Sequence, residues 1–78
     1  LLIVTDVPGV LVEGKAVDTL TIAEARGLVH DGQATGGMSA KLMASITAAE
    51  GGVKRVRIGD LRGITDRKAG TLIQKGME

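Results

Sequence analysis

The chain has no cysteine and no aromatic residue, and it has one proline among 78 residues. Without cysteine, neither a disulfide framework nor a thiolate metal site can form. Without Phe, Tyr and Trp, the chain lacks the side chains that usually bury the largest apolar areas, so its core must be built from Val, Ile, Leu, Met and Ala. A chain of this length buries only about 60–65% of its unfolded surface, and we expect it to be marginally stable alone.

A strong net charge and long apolar runs are also missing. The formal net charge is +1, which gives no broad electrostatic reason to expect a nucleic acid or a membrane as partner. No apolar run approaches the roughly 20 residues that span a bilayer, and the start of the chain lacks the pattern of a signal peptide. With one histidine and no cysteine, no metal site made by the chain itself is predicted. We therefore expect a cytoplasmic protein.

The continuous apolar run at residues 1–5 predicts a strand buried on both faces, as in a parallel sheet covered by helices. Because natural amino termini are usually loose and polar, this start indicates a fragment of a longer protein. An exposed apolar strand also needs a partner, either the missing part or another copy in a homo-oligomer. Asp6 follows the strand, where open α/β sheets place ligand contacts, but it could instead be a turn residue that bonds only to its own backbone.

Two helices are predicted. Thr21 and Glu24 form a capping box, which predicts a helix that starts at Ile22 and ends near His30 or Asp31. The second helix is predicted over residues 38–50, because apolar residues recur there at helical spacing and two glycines follow. The apolar residues expected to face the core are Ile22, Ala25, Leu28 and Val29 in the first helix and Met38, Leu42, Ile46 and Ala49 in the second.

The remaining segments predict short strands and loops. Residues 12–19 are typical of a hairpin or a loose loop, residues 53–58 of a strand with one solvated face near a sheet edge, and residues 70–73 of a short last strand before a tail at residues 74–78. Three basic residues in the strand at 53–58 could suggest nucleic acid, but without aromatic residues for base stacking a solvated strand face is the better interpretation. The whole predicts one unit, a parallel α/β sandwich.

The stretch at residues 35–41, Thr-Gly-Gly-Met-Ser-Ala-Lys, is the strongest candidate for a binding site. A helix start leaves backbone N–H groups unpaired and carries a partial positive charge, glycines let a ligand approach the backbone, and Lys41 adds a full charge. These features predict an anion site, usually for phosphate, although the same residues could form an ordinary turn with an exposed lysine.

The usual phosphate-binding patterns, G-x-x-x-x-G-K-[ST] and G-x-G-x-x-G after a strand, are absent. A phosphate or nucleotide site of a less common type is therefore predicted, with Lys41 as its point charge. If the strands are parallel, the loops at residues 6–11, 33–37 and 59–63 should meet at this site, because ligands bind at the carboxyl edge of such sheets.

Several motifs, in order, resemble those of the carboxyl-terminal half of the N-acetylglutamate kinases, which belong to the amino acid kinase family. They are Thr-Asp-Val-Pro-Gly-Val at residues 5–10, Leu-Thr with Glu-Ala at 20–25, Gly-Gly-Met with Lys at 36–41, Glu-Gly-Gly-Val-Lys at 50–54, Asp60 with Arg62, and Gly-Thr-Leu-Ile at 70–73. Aspartokinases and uridylate kinases carry strings similar to the first motif, whereas Gly-Gly-Met-x-x-Lys followed by Glu-Gly-Gly-Val is much more specific.

The resemblance implies a three-layer α/β/α sandwich with a mainly parallel sheet, of which residues 1–78 are a partial domain. In this family the carboxyl half holds ATP, the amino half holds the acetylated amino acid, and the γ-phosphoryl group of ATP, bound with Mg²⁺, is transferred to the side-chain carboxylate of N-acetyl-L-glutamate in arginine synthesis. Lys41 corresponds to the lysine that stabilises charge on the transferring phosphoryl group. The nucleotide contacts implied are Asp6, Val7, Pro8, Gly9, Val10, Leu11, Gln33, Ala34, Thr35, Gly36 and Gly37.

The same resemblance limits what this chain can do alone. The amino half, with the acceptor-binding residues and the glycine-rich phosphate loop, is missing, so the fragment alone should be inactive. Residues 59–62 are Gly-Asp-Leu-Arg where the family usually has Ile-Asp-Gly-Arg, and residues 63–69 replace a longer helical segment. Two alternatives stay open: a kinase of an aminoadipate derivative in lysine synthesis, which shares the ATP half, and a non-catalytic fragment that binds nucleotide weakly or not at all.

Overall fold

The structure is a computed structural model that describes residues 1–75. Its elements, in chain order, are β1 (Leu2–Val4), β2 (Leu11–Val12), β3 (Lys15–Ala16), β4 (Thr19–Thr21), α1 (Ile22–His30), α2 (Gly36–Glu50), β5 (Val56–Gly59), a 3₁₀ helix (Leu61–Ile64) and β6 (Thr71–Gln74). Of the predicted tail, Gln74 belongs to β6, and residues 76–78 lie outside the described residues.

Four strands form one mixed sheet in the order β1-β5-β6-β4. β1 is parallel to β5 and β4 is parallel to β6, while β5 and β6 run antiparallel. The antiparallel pairing follows from a short connection, because residues 60–70 are too few for the helical crossover that a parallel neighbour requires. The predicted fold class is confirmed: the chain is a partial domain with a mostly parallel sheet and flanking helices.

Both helices pack on the same face of this sheet. Alternate residues of the central strands point toward them, with Val56 and Ile58 of β5 lying beside Ile73 and Thr71 of β6. The helices contribute the other half of the core, namely Ile22, Ala25, Leu28, Leu42, Ile46 and Ala49. Two of the residues predicted to face the core, Val29 and Met38, are only partly buried against it.

The opposite face of the sheet is covered by residues 60–69, and here one prediction was wrong. The strand predicted at residues 53–58 is β5, which lies next to the edge strand β1 and begins only at Val56. Its face away from the helices is not simply solvated, because the half-buried Arg57 side chain donates hydrogen bonds to the carbonyl oxygens of Gly63 (2.8 Å), Asp66 (3.0 Å) and Ala69 (3.3 Å).

β1 is an edge strand in the part of the chain that the structure describes. Leu2 and Ile3 are half-buried and Val4 is 45% exposed, so the prediction of a strand buried on both faces was wrong for this chain. Within residues 1–75, no further strand pairs with the outer edge of β1, so its apolar sequence has no neighbour there.

The connections confirm two local predictions and add one element. The capping box is present, with Glu24 N donating to Thr21 Oγ1 (3.1 Å) and Thr21 N donating to Glu24 Oε1 (2.9 Å). The hairpin is formed by β2 and β3, and Glu13 and Gly14 take positive φ at its turn. β4 was not predicted, because its three residues run directly into the helix cap and leave no strand pattern of useful length.

Candidate functional site

A cavity of about 390 Å³ lies between the loop that follows β1 and the start of α2. Its volume is in the lower part of the range for small-molecule sites. The residues that line it are Thr5, Asp6, Val7, Leu11, Gln33, Ala34, Thr35, Gly37, Met38 and Lys41. The structure therefore brings two of the three loops singled out in the sequence, together with the candidate lysine, around one space.

The start of α2 supplies unpaired backbone donors to this cavity. The helix begins at Gly36, two residues earlier than predicted, so both glycines belong to its first turn. Thr35 is its N-cap residue but makes no side-chain capping bond, and the first turn contains no acidic residue. By contrast, the start of α1 is closed by its own Thr and Glu side chains. Because the first N–H groups of a helix have no partner within the helix, α2 presents donors and a partial positive charge that no capping side chain satisfies.

Lys41 lies one turn into α2 and its side chain reaches back toward the helix start. A Cβ atom built on Gly37 would lie 3.6 Å from Lys41 Nζ, which places the ammonium group over the first turn. This direction is expected, because helical side chains tilt toward the amino end of the helix. Lys41 is partly buried, and within residues 1–75 its ammonium forms no ion pair. The cavity thus combines backbone donors with a full positive charge.

The loop after β1 forms the opposite wall and is fixed by hydrogen bonds to β5 and β6. Thr5 N donates to Gly59 O (2.8 Å), and Val10 N donates to Thr71 Oγ1 (2.9 Å). The Thr71 hydroxyl in turn donates to the carbonyl oxygen of Val17. Gly9 fits against the same threonine so closely that a Cβ atom there would lie 2.7 Å from Thr71 Oγ1. Thr71 is therefore a positioning residue for this wall.

Not all predicted contact residues reach the cavity. Four of them do not line it: Pro8, Gly9, Val10 and Gly36. Gly9 and Val10 are buried in the contact with β6, and Gly36 begins α2 with φ +55°. Conversely, Thr5 and Met38 line the cavity although neither was singled out as a site residue. Met38 was predicted to face the core. Because it lies in the first turn of α2, next to the glycines, it could have been expected at the cavity instead.

The third loop does not join the cavity, so the expectation that all three loops meet was wrong. Gly59 ends β5 and accepts a hydrogen bond from Thr5 N, but the residues from Asp60 onward turn away into the 3₁₀ helix, which packs against β1 on the other face of the sheet. Asp60 caps that helix and accepts hydrogen bonds from the Arg62 guanidinium, with Nη2 2.9 Å from Oδ2. This Arg62 hydrogen bond lowers the pKa of the Asp60 carboxyl. The Asp60–Arg62 pair therefore has a local structural role here.

Comparison with known proteins identifies the family of this chain. Residues 1–60 match the amino acid kinase family. The chain belongs to this family. The resemblance noted in the sequence is thereby confirmed. Within residues 1–75, no three His, Asp or Glu side chains are arranged to hold a metal ion, and no helix is long and apolar enough to cross a membrane.

Several relatives carry the same name. The chain is 48% identical over 84 residues to the acetylglutamate kinase of Parvibaculum lavamentivorans, covering 96% of this chain and 28% of the relative. It is 44% identical over 70 residues to the acetylglutamate kinase of Roseiflexus castenholzii, covering 90% of this chain and 26% of the relative. The chain thus spans little more than a quarter of the length of these relatives.

Solved structures confirm the fold of this part. A protein from Aeropyrum pernix superimposes with a TM-score of 0.83 at 32% identity, over 96% of this chain and 27% of the other. The N-acetylglutamate synthase of Neisseria gonorrhoeae, solved with coenzyme A and L-arginine, gives a TM-score of 0.73 at 27% identity, over 96% of this chain and 19% of the other. The same fold element therefore occurs in proteins named for different reactions.

Proposed function

We propose that this chain is the ATP-binding part of an N-acetylglutamate kinase, which transfers the γ-phosphoryl group of MgATP to the side-chain carboxylate of N-acetyl-L-glutamate in arginine synthesis. The observation that carries the proposal is the uncapped start of α2 with the Lys41 ammonium lying over it. The acetylglutamate kinases to which the chain is 42–48% identical support this choice of acceptor.

The lining of the cavity fits a nucleotide in charge and polarity. The N–H groups of Gly37 and Met38 are suited to donate to phosphate oxygens, as unpaired donors at helix starts do. Apolar side chains of Val7 and Leu11 offer a surface for a nucleoside, and Asp6 is the one carboxylate among the lining residues. Mg²⁺ would enter with the nucleotide, since a single carboxylate is typical of sites where phosphates supply most of the ligands.

In this proposal Lys41 stabilises the charge that develops on the transferring group. Phosphoryl transfer requires little covalent participation by the protein and depends on positioning and on cations placed where charge develops. The α2 N–H groups and Lys41 belong to the same helix, so phosphates bound at the helix start would lie within reach of the Lys41 ammonium. The acceptor site, and with it the choice between acetylglutamate and an aminoadipate derivative, belongs to residues outside this chain.

A substitution in the full-length enzyme tests the proposal. By analogy with the loss of one electrostatic stabilising group, Lys41→Ala should raise the barrier by about 3 kcal/mol, which is a fall in kcat of about 150-fold. Lys54→Ala is a matched control, because Lys54 lines a different hollow and its loss should leave kcat unchanged. A Lys41→Ala enzyme that turns over within a few-fold of wild type would contradict the assigned role.

A further inference from the structure

A second concentration of positive charge lies on the face of the sheet opposite the helices. Two adjoining hollows, of about 370 and 490 Å³, share the residues Arg55, Arg57, Arg67 and Lys68 in their linings. We call the two hollows together the basic groove. The chain as a whole carries a net charge of only +1, so four cations around one groove are a local concentration that the overall charge does not reveal. The groove is separate from the cavity at α2, with which it shares no lining residue.

Backbone carbonyl groups accept hydrogen bonds from Arg57, in β5, and from Arg55, directly before it. Arg55 Nη2 donates to Arg67 O (2.8 Å), and the Arg57 guanidinium donates to three carbonyl oxygens of residues 63–69. These bonds fix the planar guanidinium groups and leave further N–H donors of each available, since an arginine carries five. The connection between β5 and β6 therefore wraps around the half-buried Arg57, and one further bond ties the exposed Arg55 to the same connection.

The cations of the basic groove outnumber the acidic residues in its lining, and none of them forms an ion pair in the described residues. The ion pairs found in residues 1–75 are Arg26–Glu50 and Arg62–Asp60, and neither includes a cation of the groove. Asp18 is the only acidic residue in the lining. Carbonyl oxygens satisfy the hydrogen bonds of Arg57 but cannot neutralise its charge, and this side chain is half-buried. Partial removal of a charge from water is unfavourable without a counter-ion, so an anion bound here would be stabilised.

We propose that the basic groove is a second anion site, which binds a small, multiply charged anion of the di- or triphosphate class. Four cations within one groove favour several negative charges over one, and fixed guanidinium groups favour oxyanions that accept paired hydrogen bonds. A nucleic-acid strand fits less well, because the chain has no aromatic residue on which bases could stack. This proposal does not depend on the function proposed for the cavity at α2.

The test is a titration of sodium tripolyphosphate into the ¹⁵N-labelled chain, followed by amide chemical shifts. Saturable shifts should appear at Arg57, Ala69 and Gly70, and they should weaken as salt is added because exposed charges are screened. The double variant R67Q/K68Q should bind at this site at least about tenfold more weakly, since it removes two of the four charges. Neither side chain makes a hydrogen bond in the described residues, so this variant should keep its fold.

Two matched variants separate this site from the one at α2. K54Q/K75Q removes the same charge from a different hollow and should bind tripolyphosphate as the wild type does. K41A should lose only those shifts that arise at residues 36–41 and should keep the shifts in the groove. Shifts confined to residues 36–41, or equal affinity of R67Q/K68Q and K54Q/K75Q, would overturn the proposal and leave the function proposed for α2 unaffected.

Discussion

Thr71→Val is the substitution that most directly tests how the fold supports the cavity. The Thr71 side chain is completely buried, accepts a hydrogen bond from Val10 N at 2.9 Å and donates one to Val17 O. Valine has nearly the same shape but leaves both backbone groups without a partner. Each buried group left unsatisfied costs about 1–3 kcal/mol, so we expect the free energy of unfolding to fall by about 3 kcal/mol. For a domain of this size the thermal midpoint should fall by more than about 10 °C.

Circular dichroism at 222 nm is the suitable assay, because the chain has no aromatic residue to report by fluorescence. Thr71→Ser is the control, since it keeps the hydroxyl and removes one methyl group, at a cost of about 1 kcal/mol. If Thr71→Val were as stable as Thr71→Ser, the two hydrogen bonds would not hold the loop after β1. Because the proposed function puts ATP in this cavity, of which that loop forms one wall, Thr71→Val in the full-length enzyme should also raise the KM for ATP.

Further substitutions test the local interpretation of single residues. Thr21→Ala should destabilise the chain by about 1 kcal/mol in urea unfolding, because it removes the side-chain cap of α1; an unchanged midpoint would contradict this. Gly27→Ala should raise the free energy of unfolding by up to about 1 kcal/mol, because a Cβ atom there meets nothing within 4 Å. Gly59→Ala should lower it by at least about 2 kcal/mol, because a Cβ atom there would lie 2.9 Å from a backbone atom of Gly70. Equal effects of the two substitutions would refute the packing argument. Arg62→Ala should raise the pKa of Asp60 in an NMR titration. Because that pKa is lowered in the folded chain, the pair stabilises the fold above the usual aspartate pKa of about 4 and stops doing so as the pH falls.

The helices could be predicted well because their limits are set by neighbouring residues. Thr21 and Glu24 define the start of α1 through bonds that span three residues, and glycines end α2. The start of α2 was misplaced by two residues, because Gly36 and Gly37 are poor helix formers that a sequence pattern assigns to the preceding loop.

The arrangement of the strands could not be predicted, because it depends on contacts between residues that are distant in the sequence. Arg57 was expected on a solvated strand face, yet its side chain is half-buried, because carbonyl groups of residues 63–69 accept its hydrogen bonds. The antiparallel direction of β6 follows from the short connection before it.

The sequence could predict that the loop after β1 and the start of α2 lie together, because this depends only on the directions of the strands and of the helix. Lys41 and the residues before α2 face the loop after β1 because parallel β1 and β5 place that loop at the carboxyl edge of the sheet. Which residues of the loop point into the cavity could not be anticipated. Gly9 and Val10 turn the other way to meet Thr71, which lies 61 residues further along the chain from Val10.

Calorimetric titration of MgATP into the chain tests the central claim most directly. We expect saturable heat with a Kd between about 1 µM and 1 mM, because the α2 start and Lys41 supply one phosphate-binding half-site. The titration is run in the R67Q/K68Q background, where the basic groove contributes little, and there the heat should persist and Lys41→Ala should abolish it. Absence of heat at any accessible concentration, or binding of Lys41→Ala with unchanged affinity, would contradict a nucleotide site at the start of α2.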